Sequence, residues 1–215
     1  MDALITNTIN FVKEQLKEAE GGHDWFHIER VWKNTLLILE KENANRLTCE
    51  LAALLHDVAD SKFHGGDEEL GPAIAGKFLE AQQVDMAIIN EVKLIIKNMS
   101  YKASLGQLAY HSKEMEVVQD ADRLDAIGAI GIARAFNYGG FKNRAMHDPS
   151  IAPELNMSKE AYKNTQAPTI NHFYEKLLLL KDKMNTDTAK AIAQQRHNYM
   201  EGFLEQFYAE WEGKR

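Results

Sequence analysis

The chain is poor in the residues that mark several common protein classes. Its 215 residues include a single cysteine, Cys49, so a disulfide framework is excluded and no set of thiolates is available to build a structural zinc site. Only four prolines occur, Pro72, Pro149, Pro153 and Pro168, and all fall near predicted helix starts or in loops. No window approaches ~18 consecutive apolar residues, and Met1 to Asn7 lacks a basic segment followed by an apolar one, so neither membrane insertion nor secretion is expected. Positive charge is in deficit: 25 Lys and Arg against 32 Asp and Glu give a formal net charge of −7. That is the wrong sign for a broad grip on a nucleic-acid backbone. An anionic substrate would need local positive charge, such as a metal ion.

What is present is enough for a full core. Apolar residues make up 45% of the chain and charged residues 27%, and a single domain over 1–215 is expected. Cys49 lies in the run Leu47 to Leu55, where it reads as a small core residue suited to a reducing cytoplasm. Apolar residues recur at three- and four-residue steps, as in Leu4, Ile5, Ile9, Val12, Leu16 and in Ile28, Val31, Trp32, Thr35, Leu36, Leu39, the signature of amphipathic helices. Strand-like alternation is sustained nowhere, so the fold is read as all-α, with helices predicted at 3–19, 24–44, 47–59, 68–82, 85–98, 112–136, 158–182 and 186–212. Residues 60–67 and 137–157 read as loops. The second holds Lys142, Arg144, His147 and Asp148 and has the length of a lid or binding loop, one in which Lys142 and Arg144 could close over a polyphosphate. The first helix mixes Lys13, Glu14, Lys17 and Glu18 on its polar face, which fits a docked helix better than a membrane-surface one. In the last helix Tyr199, Phe203, Phe207 and Trp211 stand at i,i+4 spacing, read as core packing.

Three stretches concentrate chemistry. His56-Asp57 closes the apolar helix Leu51-Ala52-Ala53-Leu54-Leu55, and a buried histidine and carboxylate side by side are costly unless paired or coordinated. Gly22-His23-Asp24-Trp25-Phe26-His27 opens a helix with two histidines at i,i+4, on one face. Val117 to Asp125 sets Asp120, Asp122 and Asp125 among apolar residues, where carboxylates call for a cation or arginine partners. By residue type alone either histidine of the second stretch, and any aspartate of the third, is a candidate ligand.

The ordered set His27, His56-Asp57 and Asp122 resembles the H…HD…D pattern of the HD-domain metal-dependent phosphohydrolases, a likeness that covers nearly the whole chain. More narrowly, Gly22 to Val31, His56 to Phe63, Asp120 to Gly128 and His172 to Leu178 resemble a bacterial subfamily of small stand-alone HD hydrolases, some of them nucleotide pyrophosphohydrolases. The resemblance implies a compact multi-helix HD-domain bundle and makes His27, His56, Asp57 and Asp122 the metal ligands, with Asp120 and Asp125 as substitutes. An N,N,O,O set leaves positions open on a six-coordinate ion, which suits Mn²⁺ first, with Mg²⁺, Ni²⁺, Fe²⁺ and Co²⁺ as alternatives. Asp57 would also orient the attacking water, and Asp60, three residues on, resembles the acidic position that serves as general base. His23, Arg30, Lys62 and Arg123 surround the inferred site and are assigned to substrate binding. Only His64 and His111 lie where the second metal of some HD phosphodiesterases would need ligands, and both are read as loop residues. The expected activity is hydrolysis of a small phosphorylated compound, foremost pyrophosphate release from a nucleoside triphosphate. A 5′-nucleotidase and a non-catalytic, metal-stabilised nucleotide-binding protein are the alternatives, and a homodimer is compatible with the sequence.

Overall fold

Short polar side chains set where the site-bearing helices begin. In the structure, a computed structural model that describes residues 3–17, 24–59, 67, 69–99, 110–155 and 165–214, Asp24 caps helix α2 (Trp25–Leu39) and accepts from the His27 N–H. Asn45 caps α3 (Arg46–Leu55), accepting from the Thr48 N–H at 3.1 Å. Each cap satisfies a donor that the first helical turn leaves open. The remaining helices are α1 (Ala3–Gln15), α4 (Leu70–Ala81), α5 (Met86–Asn98), α6 (Lys113–Asp125), α7 (Gly128–Phe141), α8 (Thr169–Glu175) and α9 (Asp187–Trp211), with a 3-10 segment over Leu177–Lys183. No strand occurs among the described residues, and the fold is all-α. Packing divides the chain into two compact units, residues 1–122 and 123–215.

In the first unit α3 is the central element. Every residue from Thr48 to Leu55 is buried, and α1, α2 and α5 all pack against it. Cys49 is fully buried, and burial, followed by the charges of Glu114, Glu91 and Glu50, pushes its thiol up, as the core reading requires. Glu50 is nine-tenths covered but doubly engaged, accepting from Trp32 Nε1 at 2.9 Å and Arg46 Nε at 2.8 Å. Near the N-terminal end of α6, Glu114 accepts from the Asn45 N–H at 2.8 Å, and Glu91 of α5 accepts from the Tyr110 hydroxyl at 3.3 Å.

In the second unit, α7 packs on α8 and α9, and the 3-10 segment on both α8 and α9. The helix predicted over 112–136 breaks after Asp125. Gly128 sits at φ +74, a left-handed conformation that glycine adopts without strain. Arg134 closes the corner, reaching Asp125 Oδ2 at 2.6 Å, and Arg196 Nη1 donates to the Leu124 carbonyl at 2.5 Å. The predicted loop at 137–157 likewise starts too early, because α7 continues to Phe141. Of the helix predicted over 158–182, residues 158–164 lie outside the described residues, 165–168 are not helical, and α8 starts at Thr169 and is interrupted at Lys176 (φ −145, ψ −56), beyond which the chain turns to 3-10 geometry. On α9 the buried stripe is Ala189, Ala193, His197, Met200 and Leu204. The aromatic ladder flanks it: Phe203 and Phe207 pack with Phe136, while Tyr199 is 60% and Trp211 46% exposed.

Two expectations follow. A Cβ on Gly131 would stand 2.2 Å from the Ala126 carbonyl oxygen, so Gly131→Ala should cost about 1–3 kcal/mol by overpacking, read as a lower urea midpoint. The second concerns pH. Glu91 is held above the ordinary carboxylate range by burial first, then by the charge and hydrogen bond of Glu114. Burial pushes Glu114 up as well, but hydrogen bonds from the Asn45 backbone and its own, and from Glu91 and Ser112, outweigh it and hold the group low. A carboxyl with a raised folded value stabilises the fold below its ordinary value of 4.5, and that stabilisation is lost as pH rises through the folded value. Glu91→Gln keeps a neutral donor at every pH. Its melting temperature should therefore match the parent near pH 4 and exceed it increasingly toward neutrality, and a gap that narrows on raising the pH would contradict the assignment.

Candidate metal centre

The C-terminal end of α3 delivers two side chains to one point. His56 is the C-cap of the helix, and its Nδ1 lies 2.8 Å from the Ala53 carbonyl, one of the last carbonyls of the helix. A carbonyl only accepts, so Nδ1 carries the proton and Nε2 presents its lone pair. Asp57 follows at once, with Oδ2 3.8 Å from His56 Nε2. From α2, His27 extends Nε2 to within 3.7 Å of the same Asp57 oxygen. The two imidazole rings meet edge to face, with centroids 5.3 Å apart.

From α6, Asp122 places Oδ1 3.6 Å from His27 Nε2. Its position follows from the helix: the preceding carbonyl, that of Ala121, accepts from Asn34 Nδ2 at 3.1 Å, which ties α6 to the helix that carries His27. Separations of 3.6–3.8 Å are too long for hydrogen bonds. They approach the roughly 3–3.6 Å expected of two atoms that each lie about 2.0–2.2 Å from a shared ion. His27, His56 and Asp57 offer ligand atoms within 4.8 Å of one another, and this group could hold a divalent metal. Nitrogen and oxygen donors without a thiolate suit the borderline and hard ions of the Mn²⁺, Fe²⁺ and Mg²⁺ class.

The site opens on its carboxylate side. The side chains of His27 and His56 are 2% and 5% exposed, those of Asp57 and Asp122 18% and 33%. A ligand therefore approaches over the carboxylates.

The two other aspartates of α6 are placed differently. Asp125 is buried and paired with Arg134 at 2.6 Å, and Asp120 is fully buried. Arg123, assigned by sequence to substrate binding, is buried and donates from Nη1 to the Lys183 carbonyl, a bond that braces the second unit. Arg30 is half-buried one turn beyond His27. His23, Asp60, Lys62 and His64 lie outside the described residues. His111 is exposed and pairs with Glu116 at 2.9 Å. Two partners escaped the sequence reading. The Ala53 carbonyl has no side-chain signal, and Arg134 could have been found as the cation that follows Asp125 on the next helix.

Comparison with known proteins identifies the family and the fold. The HD-domain family model matches residues 25–127. The chain is 39% identical to Bacillus subtilis YpgQ over 198 residues, covering 91% of this chain and 88% of that protein. A crystal structure of a Lactobacillus plantarum protein, 39% identical, superposes with a TM-score of 0.85 over 99% of this chain and 98% of that one. An HD-superfamily hydrolase from Bacillus thuringiensis, 47% identical, gives 0.76 over 97% and 96%. The structure of YpgQ in complex with ADP gives 0.77 at 34% identity over 98% and 100%.

Metal titrations distinguish the aspartates. Asp122→Asn should weaken Mn²⁺ binding by about 100-fold, since even the loss of a ligand's support costs roughly 10–100-fold. Asp125→Asn should leave Mn²⁺ affinity within a factor of two or so while lowering unfolding stability by ~2 kcal/mol through the stranded Arg134. Calorimetric titration and urea unfolding of both variants check this, and the reverse pattern would make Asp125 the ligand.

Proposed function

The chain belongs to the HD-domain superfamily, and on that premise we propose that it is a metal-dependent phosphohydrolase that releases pyrophosphate from a nucleoside triphosphate. The observation that carries the reading is the grouping of His27, His56 and Asp57, whose ligand atoms lie within 4.8 Å of one another, with Asp122 Oδ1 3.6 Å from His27 Nε2 assigned as the fourth ligand. Mn²⁺ is the first choice, because four N and O ligands leave open positions on a six-coordinate ion. When bound, such an ion supplies positive charge to phosphoryl oxygens and acidifies water.

The protein's own part is positional. His27 and His56 hold the buried side of the site and keep bulk water from it. Asp57 stands at the open side, where its carboxylate accepts a hydrogen bond from the attacking water and orients that water toward phosphorus. Asp60, by its place three residues later in the sequence, is assigned to accept the water's proton. Arg30, and His23 and Lys62 by sequence position, are assigned to the phosphates remote from the reacting one. That the related YpgQ has been solved with ADP supports a nucleotide carrying more than one phosphate over a monophosphate. The solved relatives above match 97–99% of this chain, which supports reading 1–215 as one functional unit. The single buried thiol suits the cytoplasm, and no helix among the described residues is long and apolar enough to cross a membrane.

Protein loaded in turn with Mn²⁺, Mg²⁺, Ni²⁺ and Co²⁺ should convert nucleoside triphosphates to monophosphate and pyrophosphate, separable by ion-exchange chromatography. Asp57→Ala should reduce turnover by a factor on the order of 10³. Release of inorganic phosphate from monophosphates, with no action on triphosphates, would replace this reading with a 5′-nucleotidase. Full activity in Asp57→Ala would overturn the mechanism.

A further inference from the structure

Asp122 stands where a helix holds itself least. It belongs to the last turn of α6 (Lys113–Asp125), and the carbonyls of a final turn have no partner further along the helix. The bonds that close this turn are short-range ones, from the Ala126 N–H to the Arg123 carbonyl at 3.1 Å and from the Ile127 N–H to the Leu124 carbonyl at 3.3 Å. Helix ends closed in this way open readily unless something outside the helix holds them. The Asp122 side chain is itself 33% exposed, so packing around the carboxylate supplies only part of what the backbone lacks.

Three arginines brace the turn. Arg196, on α9, donates from Nη1 to the Leu124 carbonyl at 2.5 Å, across 72 residues of sequence. Arg134, on α7, donates to Asp125 Oδ2 at 2.6 Å and lies 3.4 Å from the Asp125 carbonyl. Arg123 reaches from Nη1 to the Lys183 carbonyl. Arg196 makes the closer hold on the α6 backbone, and it makes it two residues after Asp122. Its stem packs against Gly128, where a Cβ would stand 3.0 Å from Arg196 Cβ and Cγ, so the corner has room for the arginine because residue 128 has no side chain. On the other side of Asp122, the Ala121 carbonyl accepts from Asn34 Nδ2 at 3.1 Å. Asp122 therefore sits between two carbonyls that are each held by a side chain from another helix.

We propose that Arg196 is a positioning residue for the metal centre: by holding the Leu124 carbonyl it fixes the final turn of α6, and with it the carboxylate of Asp122. This role rests on the reading of Asp122 as a ligand. Ligand distances at a divalent ion tolerate only about 0.2 Å, a margin that a fraying turn exceeds. A charge-assisted bond from guanidinium to carbonyl is strong enough to suppress that fraying, and the fixed fork of arginine suits it to the task better than lysine. Arg196 touches neither ion nor substrate on this account and acts only through the backbone that carries Asp122.

Calorimetric titration of Mn²⁺ into the full chain tests this through a double-mutant cycle. Arg196→Met keeps the stem and removes the donor; it should weaken Mn²⁺ binding by about tenfold, the lower end of what loss of a ligand's support costs. In an Asp122→Asn background the same substitution should change Mn²⁺ affinity by less than about twofold, because the residue it acts through is already lost. A merely structural role would lower affinity equally in both backgrounds. Arg196→Lys keeps one donor and should recover part of the loss, and Arg196→Gln takes the place of Arg196→Met if that variant does not melt cooperatively. Gly139→Ala controls for general loosening of the second unit: its Cβ would stand 2.1 Å from Thr169 Oγ1, a clash that involves no residue of α6. It should lower the melting temperature yet leave Mn²⁺ affinity within about twofold. Equal losses in the two backgrounds, no loss in folded Arg196→Met, or a tenfold loss in Gly139→Ala would overturn the positioning role and leave the metal centre standing. Absence of Mn²⁺ binding by the parent would overturn both, and Asp122→Asn binding as tightly as the parent would overturn the assignment of Asp122 and this role with it.

Discussion

The hydrogen bond between His56 Nδ1 and the Ala53 carbonyl is the constraint on which the site depends. Near its C-terminus a helix leaves carbonyls with no partner of their own, and a side chain that folds back onto one of them satisfies it while losing its own freedom. Here that side chain is an imidazole, so the same bond also decides its tautomer. With the proton committed to Nδ1, Nε2 can serve only as an acceptor or ligand. It faces Asp57 at 3.8 Å, a distance at which neither group satisfies the other directly. An imidazole lone pair and a carboxylate that face one another at this spacing suit a cation held between them.

Placing that pair accurately falls to the helix behind it. A helix buried on all sides from Thr48 to Leu55 cannot rotate or slide without opening the core, so its end is fixed by packing rather than by loops. Its start is tied as well, because the Asn45 N–H donates to Glu114 near the beginning of α6. Near the other end of α6, the Asn34–Ala121 bond holds α2 against it, one residue before Asp122. Three helices that each bring one or two candidate ligands are thus pinned to one another by backbone-directed hydrogen bonds. None of those bonds involves a side chain assigned as a ligand.

This division explains what could be read from the sequence. Helix content was legible because apolar residues recur at helical spacing over long stretches, and the caps Asp24 and Asn45 stand where those stretches begin. The HD dyad was legible as a cost, a histidine and an aspartate at the end of an apolar run, and became specific through the family pattern. The break after Asp125 was not, since Ala126-Ile127-Gly128 continues the apolar period and only the left-handed φ of Gly128 and the two arginines that hold the corner reveal it. The choice among Asp120, Asp122 and Asp125 was equally hidden. Only the structure shows that Arg134 pairs with Asp125 and that Asp120 is buried, whereas the Asp122 side chain is 33% exposed. The ladder Tyr199 to Trp211 misled because i,i+4 spacing identifies a face without saying which face is inward. Small residues at Ala189 and Ala193 let the helix approach its neighbours there instead.

Charge then sets what the centre can discriminate. The two carboxylates and two imidazoles of the proposed ligand set, the imidazoles neutral as ligation requires, would carry a charge of −2, which one divalent ion cancels. A site of net zero charge can polarise a phosphoryl group but has little excess attraction for a second or third phosphate, so distinguishing a triphosphate from a monophosphate must come from cations outside the ligand set. Several candidates are already committed: Arg134 to Asp125, and Arg123 to the Lys183 carbonyl. Arg30, within a turn of His27 and half-buried, is the described cation of the first unit best placed by sequence to make that distinction. On the proposed reading, then, an acidic chain would leave the phosphate count to a few cations outside the ligand set, and the ligands themselves would have little to do with it.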